Sequence, residues 1–171
     1  MDFFETVTKR RSVRVFQEKD VDAKDVKQII ESIMQAPSAG GLQAYKIYLV
    51  RDKAALDALA LAAHGQEFVS QAPLALVFTA DQKRSASKYE ERGFELYSMQ
   101  DATIAAAYSQ LAAAALGLGS VWVGGFDPLE VCRVVKAGAY EVPVAVIPLG
   151  HPAENPARPQ GRSMKAIVRE V

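Results

Sequence analysis

Three arginines and a serine fall within five residues at Arg10, Arg11, Ser12 and Arg14. A guanidinium is a rigid fork of donors that stays charged, so this cluster suits a phosphate or another anionic oxygen group. A second segment, Pro37-Ser38-Ala39-Gly40-Gly41-Leu42-Gln43, consists mainly of small residues. Small residues let backbone amides come close to a flat ligand, and the Gln43 side chain can read a ring edge. A third, Gly124-Gly125 after Val121-Trp122-Val123, would bring backbone N–H groups against the same kind of ring. Together they describe a pocket for a phosphorylated, planar molecule. Each also has a plainer reading. Arginines are favourable at any helix C-terminus, residues 37–43 can be a helix stop and turn, and Gly124-Gly125 a tight strand exit. It is their co-occurrence in this order that favours a site.

Other chemistries find less support. His64, His151 and the lone Cys132 stand far apart without paired-ligand spacing, so no metal site is expected. Cys132 falls at an apolar helix position, where a core role is the simpler reading. A Ser-His-Asp triad can assemble from any chain order, yet no Gly-x-Ser-x-Gly elbow is present and Ser12 is crowded by arginines. The stretch Gly117-Leu118-Gly119-Ser120-Val121-Trp122 fails as a dinucleotide fingerprint. Trp122 occupies the third glycine position, and the segment runs from helix to strand. A chain this poor in reactive side chains suits a reaction whose cofactor supplies the reactivity, so no catalytic side chain is assigned.

The elements that must position these residues follow from patterning. The 171 residues are half hydrophobic, enough for one domain with a real core, taken as 1–171. Twenty basic and twenty acidic residues cancel, which argues against tracking a nucleic-acid backbone. No apolar run reaches membrane-spanning length, the first residues lack the order of a signal peptide, and one cysteine fits a reducing compartment. The cytoplasm is the expected location. Helices are expected over residues 3–9, from Asp22 to about Ala36, over 53–63 behind Asp52, from about Gly93 to Leu116, and after Asp127-Pro128. A further helical turn is expected before Ala72-Pro73. Strands are expected over 46–50, 74–80, 120–123 and 143–149, with an edge strand over 164–171. Residues 81–92 read as a surface loop or lid. The mixture fits an α+β or three-layer α/β domain.

In this order the motifs resemble the nitroreductase family of FMN-dependent oxidoreductases. The resemblance rests on Arg10-Arg11-Ser12-Val13-Arg14-Val15-Phe16, the Ala36 to Gln43 stretch, Gln100-Asp101-Ala102-Thr103-Ile104-Ala105, Ala115 through Gly125, and Leu149-Gly150-His151-Pro152. It implies an α+β fold with a central mixed sheet between helices (a three-layer α/β/α arrangement) and an intimate homodimer with FMN at the interface. It also implies hydride transfer from NAD(P)H to the flavin and on to nitroaromatic, quinone or similar acceptors by a ping-pong mechanism. A specialised reductase, dehalogenase or dehydrogenase, or a non-catalytic flavin-binding module, stands as the alternative. By carry-over, Arg10, Ser12, Arg14 and the adjacent Arg11 would lie on the phosphate and the polar edge of the flavin. Arg162 would add a phosphate contact, with Arg158 competing. Pro37, Ser38, Ala39 and Gln43 would border the ring, from the partner subunit, and Val123, Gly124 and Gly125 would line it. The chain departs from the family pattern at Gly41, where asparagine is frequent, at Ala44-Tyr45 in place of Pro-Trp, and at His151 in place of a tyrosine.

Overall fold

A computed structural model describes residues 2–171. Its centre is a four-stranded sheet in the order β1-β2-β4-β3, where β1 is Tyr45–Val50, β2 Leu74–Asp81, β3 Gly119–Ser120 and β4 Glu141–Gly150. All three ladders are antiparallel, and the parallel component of the expected mixed sheet is a single bridge from Ser12 to Ser120. The β2 sequence LALVFTAD lacks the polar alternation of a half-exposed strand because both its faces are covered. Leu74, Leu76 and Phe78 point into one core and Ala75 and Val77 into the other.

The first core is closed by helices α2 (Ala23–Ile33) and α6 (Ser98–Ala115), the second by α3 (Lys53–Ala62), α4 (Phe68–Gln71) and α7 (Pro128–Val135). These are the three layers, α/β/α. The apolar spacing of α2 buries Val26, Ile29 and Ile33 on one face, each large side chain contributing roughly 1.5–3 kcal/mol. In α6, buried Ala102, Ala105, Ala106 and Ala113 let the helix lie directly on the sheet. Gly117, in the left-handed region at φ 76°, ends it with Gly117 N–H donating to the Ala114 carbonyl and Leu118 N–H to that of Ala113. Asp2, Asp52 and Asp127 cap α1 (Phe3–Lys9), α3 and α7 through side-chain acceptance of backbone N–H groups.

Three expectations change. Residues 82–92 are no loop but helix α5 (Gln82–Arg92), followed by a π-helical segment, Gly93–Tyr97, that leads into α6. Its sequence has no glycine or proline, and the Asp81 side chain caps it by accepting from Arg84 N–H. Residues 164–171 form no edge strand. Met164–Ile167 is a short exposed helix, α8, whose backbone bonds are local, Ala166 to Ser163 and Val168 to Met164. The strand expected over 120–123 pairs at Gly119–Ser120, breaks, and resumes at Val123, which exchanges both backbone bonds with Val146 in the same register. That register sets Val121 opposite Pro148, and proline has no N–H for the missing bond.

Candidate active site

The arginine segment leaves α1 at Arg10 and is gripped from both sides. On one side Val13 N–H donates to the Ser120 carbonyl at 3.0 Å. Gly119 permits this approach, since a Cβ there would come within 2.8 Å of a Val13 methyl. On the other side Gln17 N–H donates to His151, Ala153 N–H donates to Val15, and a Glu154 carboxylate oxygen accepts from the Arg14 and Val15 amides at 2.5 and 3.1 Å. With Val13 and Phe16 buried, the segment is an ordered strip whose guanidiniums are left to the surface.

Beside it lies a pocket of about 280 Å³, lined by Arg10, Arg11, Ser12 and Arg14 together with Arg158 and neighbouring residues of the C-terminal segment. Among the described residues none of these four guanidiniums lies in an ion pair with a carboxylate. Arg11 is turned back onto the Thr8 and Arg10 carbonyls at 2.7 and 2.9 Å. Arg14 sits over the Phe68 ring, 5.8 Å from its centroid. Arg162 is outside this pocket, on the exposed tail, donating to the Ala166 carbonyl. Four clustered cations against one nearby carboxylate, Glu154, which is spent on backbone amides, leave an excess of positive charge that favours a bound anion.

Gly124 and Gly125 emerge exposed, and the Gln66 side chain donates to the Gly125 carbonyl at 3.2 Å. Gln66 and Phe68 place these glycines on the arginine side of the molecule. Val123 is buried in the second core with its N–H and C=O both spent on Val146, so it anchors the strand from which the glycines project.

The second motif is a separate surface. Residues 37–43 wrap through a short 3-10 turn, Ala39–Gly41, with Gly40 and Gly41 at φ 57° and 69°. Buried Asp101 of α6 holds it, accepting from Ala39 N–H at 2.9 Å and Ala44 N–H at 3.2 Å. Ser38 Oγ accepts from Gln43 N–H, and the Gln43 amide donates to the Met34 carbonyl at 2.8 Å, leaving its own carbonyl oxygen as an acceptor. Pro37, Ser38 and Ala39 face an open pocket of about 510 Å³ shared with Tyr97, Gln100, Thr103 and Ile104, and it has no lining residue in common with the arginine pocket. Sequence reasoning did not assign the supporting carboxylates Asp101 and Glu154. A lone acid inside an alanine-rich helix was the available signal for the first.

Elsewhere, buried Glu141 gathers Lys46 Nζ and Tyr48 OH at 2.5 Å each and Thr79 Oγ1 at 3.0 Å. Burial pushes the Glu141 carboxyl up, but these three donors outweigh it and hold it below the ordinary carboxylate range. Burial, then the bond to Glu141, pushes the Tyr48 hydroxyl up to about 12. No group of three His, Cys, Asp or Glu is placed to hold a metal ion among the described residues.

The three-layer α+β domain thus carries an arginine pocket on one surface and a small-residue turn beside an open apolar pocket on another. A family model described as the Nitroreductase family matches residues 7–82 and 62–151. An "FMN reductase [NAD(P)H]" of Bacillus subtilis is 30% identical over 179 residues, covering 97% of this chain and 72% of that protein. The solved structure of NfrA2 from B. megaterium superposes with a TM-score of 0.91 at 30% identity, over 99% of this chain and 74% of that one. The NADPH:FMN oxidoreductase from Vibrio harveyi, solved with NAD+, gives 0.90 at 28% identity, over 98% and 76%. The chain belongs to the nitroreductase family.

Proposed function

We propose that this protein is an FMN-dependent oxidoreductase that takes hydride from NAD(P)H and passes electrons to nitroaromatic, quinone or similar acceptors, working as a homodimer. The observation that carries this is the pocket of Arg10, Arg11, Arg14 and Arg158, whose guanidiniums make no ion pair with a carboxylate among the described residues. Its donor set fits a terminal phosphate. Named relatives that act on FMN and NAD(P)H support the chemistry.

When bound, FMN supplies the hydride acceptance and release on which the reaction runs. Arg10, Arg14 and Arg158 hold the phosphate, each charge-assisted bond contributing roughly 1.5–3 kcal/mol. Ser12 and Arg11 complete the pocket wall. Arg162, on the tail, is free to serve a second copy. Pro37, Ser38 and Ala39 form the flat wall, and the Gln43 carbonyl oxygen is the acceptor that reads a ring edge. Gly124 and Gly125 would add bare backbone beside the open face of the ring, with no side chain to obstruct a donor or an acceptor. Solvent reaches that face and provides protons, which is why no catalytic side chain is required.

A homodimer is supported by the separation of the two half-sites and by apolar side chains exposed at both chain ends. Phe4 is 80% exposed, Met164 79% and Ile167 65%. Free Cys132 suits a reducing cytoplasm, and no helix among the described residues is long and apolar enough to cross a membrane. The test is to denature the purified protein and analyse the supernatant. One FMN per chain is expected; no flavin released and none taken up on reconstitution would refute the reading.

A further inference from the structure

Helix α5 lies against the ring wall and carries cations there that the proposed FMN site does not use. Arg84 Nε donates to the Leu42 carbonyl at 2.5 Å, which leaves the two terminal nitrogens of its fork unspent. Gly40 has no side chain, and a Cβ there would collide with Lys88 Nζ and with the Tyr89 hydroxyl, so both groups converge over the bare turn. Lys88 Nζ stands 5.4 Å from the Tyr89 ring centroid. The Tyr89 ring meets Tyr97 edge to face with centroids 5.2 Å apart, and Tyr97 lines the same pocket as Pro37, Ser38 and Ala39. The cluster therefore borders that pocket through Tyr97, its own residues standing just outside the lining.

Neither Arg84 nor Lys88 forms an ion pair with a carboxylate among the described residues. A solvated lysine extends into water to keep its hydration and rotamer freedom. This one is drawn over an aromatic ring and a glycine turn, on the same helix as a second cation. The nearby carboxylates of Asp81 and Asp101 are taken by backbone amides. Such an arrangement is completed by an anion that arrives with a ligand. Of the two molecules that would share the open face, nitroaromatic and quinone acceptors carry no phosphate. The nicotinamide donor carries its phosphates several bonds from the reacting ring, which suits a rim and not a floor.

We propose that Arg84 and Lys88, steadied by Tyr89, form a phosphate subsite for the nicotinamide donor at the edge of the ring wall. The proposal rests on the FMN-dependent reading above and adds to it the residues that recognise the donor. The phosphate is either the pyrophosphate, present in NADH and NADPH alike, or the 2′-phosphate of NADPH.

The test uses the FMN-loaded protein and its Lys88→Glu variant, with Arg84→Ala as a second probe. Each is titrated calorimetrically with adenosine 2′,5′-bisphosphate and with ADP, neither of which reduces flavin, and KM is measured for NADPH and NADH. Lys88 is exposed and is not among the residues proposed to hold FMN, so FMN content and visible spectrum should match the wild type. Binding of at least one probe should weaken about tenfold or more in Lys88→Glu, with a parallel rise in KM. Weakening confined to the 2′,5′-bisphosphate and NADPH assigns the 2′-phosphate; weakening of both probes assigns the pyrophosphate. Equal affinities in wild type and variant, or no binding of either probe by the wild type, would overturn the subsite. A wild type that binds a probe but whose FMN is not bleached by either nicotinamide would instead overturn the underlying reading.

Discussion

Arg14 combines an ordered backbone with a side chain that nothing neutralises. Its amide is tied to Glu154, while its guanidinium rests on Phe68 at the mouth of the arginine pocket. Replacing it with alanine should weaken FMN binding about 10- to 100-fold, the equivalent of one lost charge-assisted bond, with little change in the melting temperature of the apoprotein. Flavin retained after dialysis measures this, and unchanged retention would remove Arg14 from the phosphate site. Glu141 is the opposite kind of residue, a buried carboxylate whose donors are all in place. Because folding lowers its pKa, the stabilisation it gives is present above the unfolded value and is lost as pH falls through the folded one. Tyr48 runs the other way: its contribution is complete below the ordinary tyrosine value of about 10 and fades as pH rises toward about 12. Glu141→Gln should cost about 1–3 kcal/mol at neutral pH and flatten the acid limb of a melting-temperature profile. A profile with the wild-type slope would show that other groups set that limb. Gly41 also becomes intelligible at this scale. Its φ of 69° lies in the left-handed region that glycine tolerates best, so the turn itself accounts for glycine at this position.

Among the elements, α6 does more than fill the core, since Asp101 in its first turn pins both ends of the ring-wall turn. Asp101→Ala leaves two backbone donors without their partner and should destabilise the fold by about 1–3 kcal/mol. Hydrogen exchange should show Ala39 and Ala44 losing protection first, and unchanged protection there would mean the turn holds itself. The caps at Asp52 and Asp127, the helical spacing of α2 and the unbroken apolar run of β2 were all legible in the sequence, because each is fixed by residues a few positions apart. Helix α5 was not. It buries little beyond Ser85, so its composition is that of a solvated segment and only its missing breakers and Asp81 mark it as a helix. The gap in β3 was equally hidden, because it depends on the proline that register sets opposite Val121.

Over the whole molecule, the motifs that stood out as chemistry form ordered surfaces, and residue patterning groups them as one pocket where only the family resemblance sets residues 37–43 on a second subunit. The arginine pocket and the ring wall share no residue, and the apolar ends at Phe3, Phe4, Met164 and Ile167 find no cover within the chain. The tail's apolar pattern looked like a strand, yet Met164–Ile167 is a short exposed helix with only local backbone bonds. If a second copy brings the half-sites together, Ile167→Glu should shift the protein toward monomer in sedimentation velocity and lose FMN in the same concentration range. A monomer that keeps its flavin would separate assembly from cofactor binding.

If the arginine pocket and the turn at residues 37–43 hold FMN, nicotinamide cofactors should reduce it there. An anaerobic absorption titration of the purified protein measures it most directly. The visible absorption of the oxidised flavin should bleach with NADPH or NADH and return on adding a quinone. A colourless protein that takes up no FMN, or a yellow one that neither nicotinamide bleaches, would contradict it.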